Sequence, residues 1–237
     1  MRSSLPWIGV LCLLLAVPVS SFAGEAAYPA SQVERPLTLP RGLWELGAGI
    51  ESFNWAGSPD STVYPVLSLR YGFTDNMELY LMGLKYRIMH SDPFEIVAKG
   101  RVVNYGYSSI DGTILQTEIG AEAKHRLHER FALLYGLEDY YTYFSDAPDR
   151  TDLRLSVGGL FSLTEKLALE LKGTYRKLEK FNESEARVLT TTLFYNASPK
   201  FDIRLSAAFS DYSTSENDRY FAESYKQAYE ITAYWRF

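Results

Sequence analysis

Apolar and polar residues alternate with a period of two from Leu43 to the C-terminal Phe237. Such alternation marks strands whose two faces meet different surroundings. In the last segment Tyr229, Ile231, Ala233, Trp235 and Phe237 share one face, and Ala228, Glu230, Thr232, Tyr234 and Arg236 share the other. Phe201, Ile203, Leu205, Ala207 and Phe209 oppose Asp202, Arg204 and Ser206 in the same way. Leu167, Leu169, Leu171 and Tyr175 oppose Glu170, Lys172, Thr174 and Arg176, and Trp44, Leu46, Ala48 and Ile50 oppose Glu45, Gly47 and Glu51.

These segments are long, about 10 to 15 residues against a usual mode of about 5 or 6. Too little chain connects them to build a second layer. The apolar face therefore needs lipid, and the pattern predicts an all-β fold, a transmembrane antiparallel up-and-down β-barrel. A soluble lipocalin-like barrel is the alternative.

The connections fall into two kinds. Short turns occur at Thr74 to Asn76, Leu127 to Arg130, Thr164 to Lys166 and Ser198 to Lys200. Longer polar loops occur near Ala56 to Ser61, Ser145 to Arg150, Lys180 to Glu185 and Ser213 to Glu223. In bacterial barrels the short turns face the periplasm and the long loops face outside. Alternating direction along the chain then requires a hairpin that turns near Met82-Gly83, with Leu84 to Met89 running back down. The count becomes twelve strands, an even number as bacterial barrels require. Ten spanning strands plus a half-inserted hairpin is the alternative, because the two strands of that hairpin are short.

The N-terminus adds a targeting segment. Arg2 is a positive n-region, Trp7 to Val19 is mostly apolar, and Ser21-Phe22-Ala23 has the small residues a signal peptidase reads. The apolar run is short of the roughly 20 residues a spanning helix needs. The expected organisation is a signal peptide at 1–23, an irregular periplasmic leader at 24–41 carrying Pro29, Pro36 and Pro40, and an outer-membrane barrel at 42–237. The only cysteine, Cys12, lies in the signal, so the exported chain holds neither a disulfide nor a thiol nucleophile. Loss of Arg2 takes Lys+Arg from 24 to 23 against 29 Asp+Glu, a net charge of −6. No basic footprint for nucleic acid exists.

Two stretches carry resemblances. Tyr229, Ile231, Ala233, Trp235 and Phe237 resemble the C-terminal sorting signal of Gram-negative outer-membrane proteins, which implies recognition by the barrel-assembly machinery. Leu67 to Arg87 resembles a hairpin of small outer-membrane channels, among them the family of the meta-pathway of phenol degradation. The residues are Arg70, Tyr71, Gly72, Thr74, Asp75, Glu78 and Leu79. That likeness implies passive uptake of small organic solutes.

Candidate chemistry is sparse. His125 and His128 flank a short turn without a third converging ligand, and His90 sits beside Asp92 in another. Glu138 and Asp139 suggest an acid pair near a rim, or a Ca²⁺ site together with Asp146 and Asp149, against the plainer reading of a solvated loop. No nucleophile elbow and no H-E-x-x-H occurs, so no catalytic set, metal or cofactor is expected.

The inward face is more informative. A charge facing lipid costs about 2 to 4 kcal/mol at mid-bilayer, so the charges of the strands belong in the lumen. The candidates are Arg70, Lys99, Arg101, Glu118, Glu122, Arg126, Arg154, Glu170, Arg176, Arg204, Glu230 and Arg236. Both signs occur on most strands. Two functions follow. One is a narrow passive channel for small solutes; the other is a non-conducting structural or surface-binding barrel whose lumen is closed by salt bridges. The partners expected are outer-membrane lipid, the assembly machinery and small solutes.

Overall fold

The structure is a computed structural model that describes residues 28–56, 61–108, 112–181, 183–213 and 225–237. The expected signal peptide at 1–23, residues 24–27 of the expected leader and residues 214–223 of the loop expected at Ser213 to Glu223 lie outside the described residues, as do 57–60 of the first long loop.

Twelve strands follow one another: β1 (Trp44–Trp55), β2 (Ser61–Thr74), β3 (Met77–Tyr80), β4 (Gly83–Ser91), β5 (Phe94–Ser108), β6 (Gly112–His128), β7 (Phe131–Phe144), β8 (Arg150–Ser162), β9 (Leu167–Glu179), β10 (Glu185–Ser198), β11 (Phe201–Ser210) and β12 (Tyr225–Arg236). Each pairs antiparallel with its sequence neighbours, and β1 pairs with β12 to close the barrel. The hairpin predicted by direction counting is present. It turns at Leu81-Met82, with Met82 in the left-handed region at φ 59°. The count is therefore twelve, although β3 has only four residues.

Register fixes which face is which. On β1 and β12, Glu45 sits opposite Arg236 and Glu51 opposite Glu230, all inward, while Leu46 opposes Trp235 and Ile50 opposes Ile231 on the outside. Because side chains alternate strictly, one anchored pair assigns every residue of the pair of strands. The outer face is apolar: Ile119 is 72% exposed and Leu67 61%. Aromatic residues gather at its two ends. Phe131 stacks on Phe161 at 4.7 Å and Trp44 on Tyr71 at 4.3 Å near the short turns. Tyr141, Tyr143, Tyr175, Phe209 and Tyr229 are exposed toward the long loops. Two aromatic girdles around an apolar band are what a bilayer selects.

Residues 28–41 form no strand, but they are ordered against the inner wall. Val33 packs on Ala132, Leu160 and Ala168, which belong to β7, β8 and β9 at their short-turn ends. Further on the leader passes over β2, where a Cβ added to Gly72 would clash with the Pro40 carbonyl oxygen. Gly42, at φ 81°, then turns the chain into β1.

Candidate functional site

The lumen is built from the inward positions of the strands, and its charges form connected groups. At the short-turn end Arg70 lies between two carboxylates. Its Nη1 donates to Glu45 at 2.7 Å, and its Nε and Nη2 donate to Glu78 at 2.7 and 2.8 Å. Glu45 accepts a second donor, Arg236 Nε, at 2.7 Å. Arg236 also bonds Asp202, and Asp202 bonds Arg35 of the leader. Three carboxylates and three guanidinium groups thus form a neutral chain. Glu45, Glu78, Asp202, Arg35 and Arg236 are all buried. Buried charges persist only when paired and hydrogen-bonded, and each of these is.

The leader is held by the same side chains. The Leu39 amide donates to Glu78 at 2.8 Å and the Leu37 amide to Glu95 at 2.9 Å. Arg87 bridges Glu95 at 2.7 Å and Thr38 Oγ1 at 2.6 Å. Lys124 Nζ donates to the carbonyls of Gln32 and Arg35, at 2.9 and 2.7 Å. Gln32 reaches Asn196 at 2.9 Å, and Tyr28 stacks under Arg236 at 4.9 Å. Irregular backbone at membrane depth is tolerated only inside protein or against water. The inward carboxylates and the lysine supply the partners that residues 37 and 39, and the carbonyls of 32 and 35, would otherwise lack. The leader so placed occupies the short-turn mouth.

A second group lies higher on β4 to β7. Lys99 Nζ contacts Glu118 and Glu122 at 2.8 Å each and also bonds Glu138. Lys85 pairs with Glu122 at 3.1 Å and Arg101 with Glu118 at 2.5 Å. On the adjoining β8 and β9, Arg154 and Arg176 converge on Asp152, at 2.7 and 2.8 Å. Arg204 pairs with Glu230 at 2.8 Å, and Lys172 stands 3.9 Å from Glu170. The guanidinium of Arg154 lies 3.9 Å over the Tyr140 ring.

Two of the cavities that remain lie between these groups. One of about 200 Å³ lies above the leader, with Tyr28, Arg35, Glu45, Arg70, Glu170 and Arg204 in its lining. The other, of about 130 Å³, is lined among others by Glu138, Arg154, Lys172, Thr174, Arg176 and Tyr225. At the long-loop end Tyr212 is buried against Ala56, Leu178 and Ala186. Phe53 and Trp55 pack on Ala228 and Tyr225 just below.

Of the lumen candidates, eleven take part in these inward groups, and Arg126 does not. It stands at the short-turn end of β6, half-buried, where it pairs with the exposed Asp92 of the β4–β5 turn and lines a cavity with Val33, Arg35, Glu95 and Lys124. Asp139 faces outward, so it does not join Glu138. Asp149 accepts the Tyr141 hydroxyl and the Phe144 amide, at 3.3 Å for the latter, and the Tyr141 bond holds its carboxyl below the ordinary value. His125 meets Phe94 edge-on on the outside, and His128 Nδ1 accepts the Arg130 amide at 3.3 Å within its turn. Tyr229, Ile231, Trp235 and Phe237 all point out. Trp235 packs on Phe201 at 5.2 Å, and the Phe237 backbone exchanges hydrogen bonds of 2.9 and 3.1 Å with Trp44. Sequence reasoning missed Arg35 and the leader's role. The leader has no periodicity; the only available signal is a cation set among prolines ahead of a barrel rich in acids.

No family model and no curated protein matches the sequence. Solved structures do match in fold. The NanC porin aligns over 81% of this chain and 98% of its own, at 11% identity and a TM-score of 0.52. The KdgM porin aligns over 81% of this chain and 99% of its own, at 8% identity and a TM-score of 0.52. At such identities the likeness is one of architecture: the chain is a closed twelve-stranded barrel of porin-like fold.

Proposed function

We propose that this protein is an outer-membrane channel that passes small solutes passively and is closed at its periplasmic mouth by its own leader. The carrying observation is the leader seated in the lumen on Arg87, Glu95, Glu78, Lys124 and Asp202. These are polar, individually replaceable bonds to a segment outside the sheet, so the segment leaves without breaking a strand ladder. The lumen behind it is polar and holds two cavities. Ion pairs that satisfy one another along the wall, between neighbouring strands, leave room for water and small solutes in the lumen they line. The N-terminal signal, the apolar outer band and the C-terminal aromatic residue support the outer membrane as its location.

The second reading is a structural barrel that never conducts. The continuity of the ion-pair groups favours it. Planar-bilayer recording separates the two. The chain from residue 24 is compared with a chain that begins at Gly42. Small or rare steps from the first and larger, steady steps from the second support the gated channel. Silence from both, with each shown to be folded, supports the structural barrel.

A further inference from the structure

The hairpin of β3 and β4 is too short to complete the wall. β3 pairs with β2 only between Arg70 and Thr74, and β4 pairs with β5 only from Phe94 to Arg101. Beyond the turn, the Leu81 amide reaches the Leu69 carbonyl at 3.1 Å and the Val102 amide reaches the Met82 carbonyl at 3.0 Å. Above that level β2 has β1 on one side, β5 has β6 on the other, and no described strand pairs between them. At its base the gap spans three inter-strand spacings, about 14 Å. Counting up from Thr74 on a tilted strand, it begins about 13 Å above the short turns, near the middle of an apolar band about 25 Å tall.

The residues of β2 fit an open edge. Gly72 directs its amide and carbonyl toward the Leu43 and Gly42 side, and the Leu69 carbonyl points the other way. Backbone groups alternate along a strand, so position 65 directs its nitrogen into the gap. That position is Pro65, which has no N–H to leave unpaired. A proline on an edge also blocks pairing with a second chain, so the edge is not built for a partner copy. Tyr64 is inward by register, yet 46% exposed, whereas Phe53, its diagonal neighbour on β1 with ring centroids 6.1 Å apart, is buried. The rim outside is apolar, with Val63, Leu67, Leu81, Met82 and Val102 all exposed. The lumen side carries Arg101, and in its pair with Glu118 the cation is the exposed member, at 36% against 5%.

We propose that the lumen opens sideways between β2 and β5, above the Leu81-Met82 turn, and that a small amphiphile with an anionic carboxylate head uses this opening. Its apolar body lies against Val63, Leu67 and Met82, and its head faces Arg101. An edge at membrane depth cannot stay dry with free carbonyls, so water from the lumen or the solute's polar head must solvate it. This rests on the channel reading for its purpose, but the opening itself is measured without conductance.

The test uses the chain from residue 24, which has no cysteine of its own, reconstituted in vesicles. A spin label at Tyr64→Cys is compared with one at Thr190→Cys, an inward residue in a fully paired part of the wall; Val66→Cys is the second reporter if the first does not fold. Collision with lipid-soluble oxygen is expected to be at least threefold higher at Tyr64 than at Thr190. Equal values mean a closed wall and overturn the opening. Laurate below its micellar concentration is then expected to slow modification of Tyr64→Cys by a water-soluble maleimide about fivefold, and not to slow it when Arg101→Gln is added. Oxygen access without laurate protection overturns the assigned solute. Protection that survives Arg101→Gln overturns the role of Arg101 as the head's partner.

Discussion

Arg35 of the leader and Asp202 at the start of β11 form an ion pair in which both side chains are almost wholly buried, 167 residues apart in the chain. Asp202 is shared with Arg236, the last residue of β12, and Arg236 is shared with Glu45 at the start of β1. The pair that holds the leader is thus continuous with the pairs that line the barrel closure. Whatever loosens the leader changes the charge balance at the seam.

Arg35→Gln is expected to release the leader. A hydrogen bond to a charged group contributes about 2 kcal/mol, which changes a two-state ratio by up to about thirtyfold. Asp202 keeps Arg236, so the barrel itself stays folded. Proteinase K is expected to remove the leader of the variant in minutes under conditions where the parent resists. Equal protection would mean that the contacts of Val33, Leu37 and Leu39 hold the segment without the arginine.

Glu45→Gln is expected to cost more stability than any other single neutralisation in the lumen. Glu45 separates Arg70 from Arg236, and its loss leaves two guanidinium groups facing each other across a buried site. Breaking a buried pair by removing one partner costs about 3 to 5 kcal/mol. The urea midpoint for unfolding from vesicles reports it. Adding Arg236→Gln is expected to recover part of the loss, because the excess positive charge goes with it; a strictly additive double variant contradicts the coupling.

The barrel was legible in the sequence because its strands obey one rule throughout. An inward charge two residues from the next, with apolar residues between, gives face and strand count in β5 to β12 without any packing detail, while register needs the strand pairing itself. The β3–β4 hairpin was legible only by elimination, since four residues of β3 carry too little alternation to be recognised. Arg126 pairs with Asp92 of a turn and not with a strand residue because phase tells which side a residue points to, and not how near the rim it stands. The leader was unreadable for a different reason: it is held by side-chain bonds to Glu78, Glu95, Lys124 and Asp202, and such bonds impose no period on the segment that receives them.

A pair of arginine substitutions on opposite faces tests the assignment of inside and outside. Val157 is exposed on the outer face near mid-height of β8. Val157→Arg is expected to cost about 2 to 4 kcal/mol in vesicle unfolding. Ser206 faces inward opposite Glu230, which itself opposes Glu51. Ser206→Arg places a cation beside two carboxylates and is expected to be neutral within about 1 kcal/mol. Equal costs at the two sites would mean that the outer face of β8 does not meet lipid.

Deleting Phe237 separates folding from sorting. The Phe237 backbone makes the last two hydrogen bonds between the end of the chain and Trp44 at the barrel seam, while its side chain is exposed. Loss of two terminal backbone bonds costs about 2 kcal/mol, too little to unfold a barrel whose seam keeps ten further residue pairs from Glu45↔Arg236 to Asn54↔Gln227. The truncated chain is therefore expected to refold into detergent or vesicles with a nearly unchanged heat-modifiable mobility. In cells it is expected to accumulate in the periplasm, because the aromatic end that the assembly machinery would read is gone. Normal assembly in cells would remove Phe237 from the sorting signal and leave Tyr229, Ile231 and Trp235 to carry it. Failure in both settings would instead make Phe237 a structural clasp of the seam.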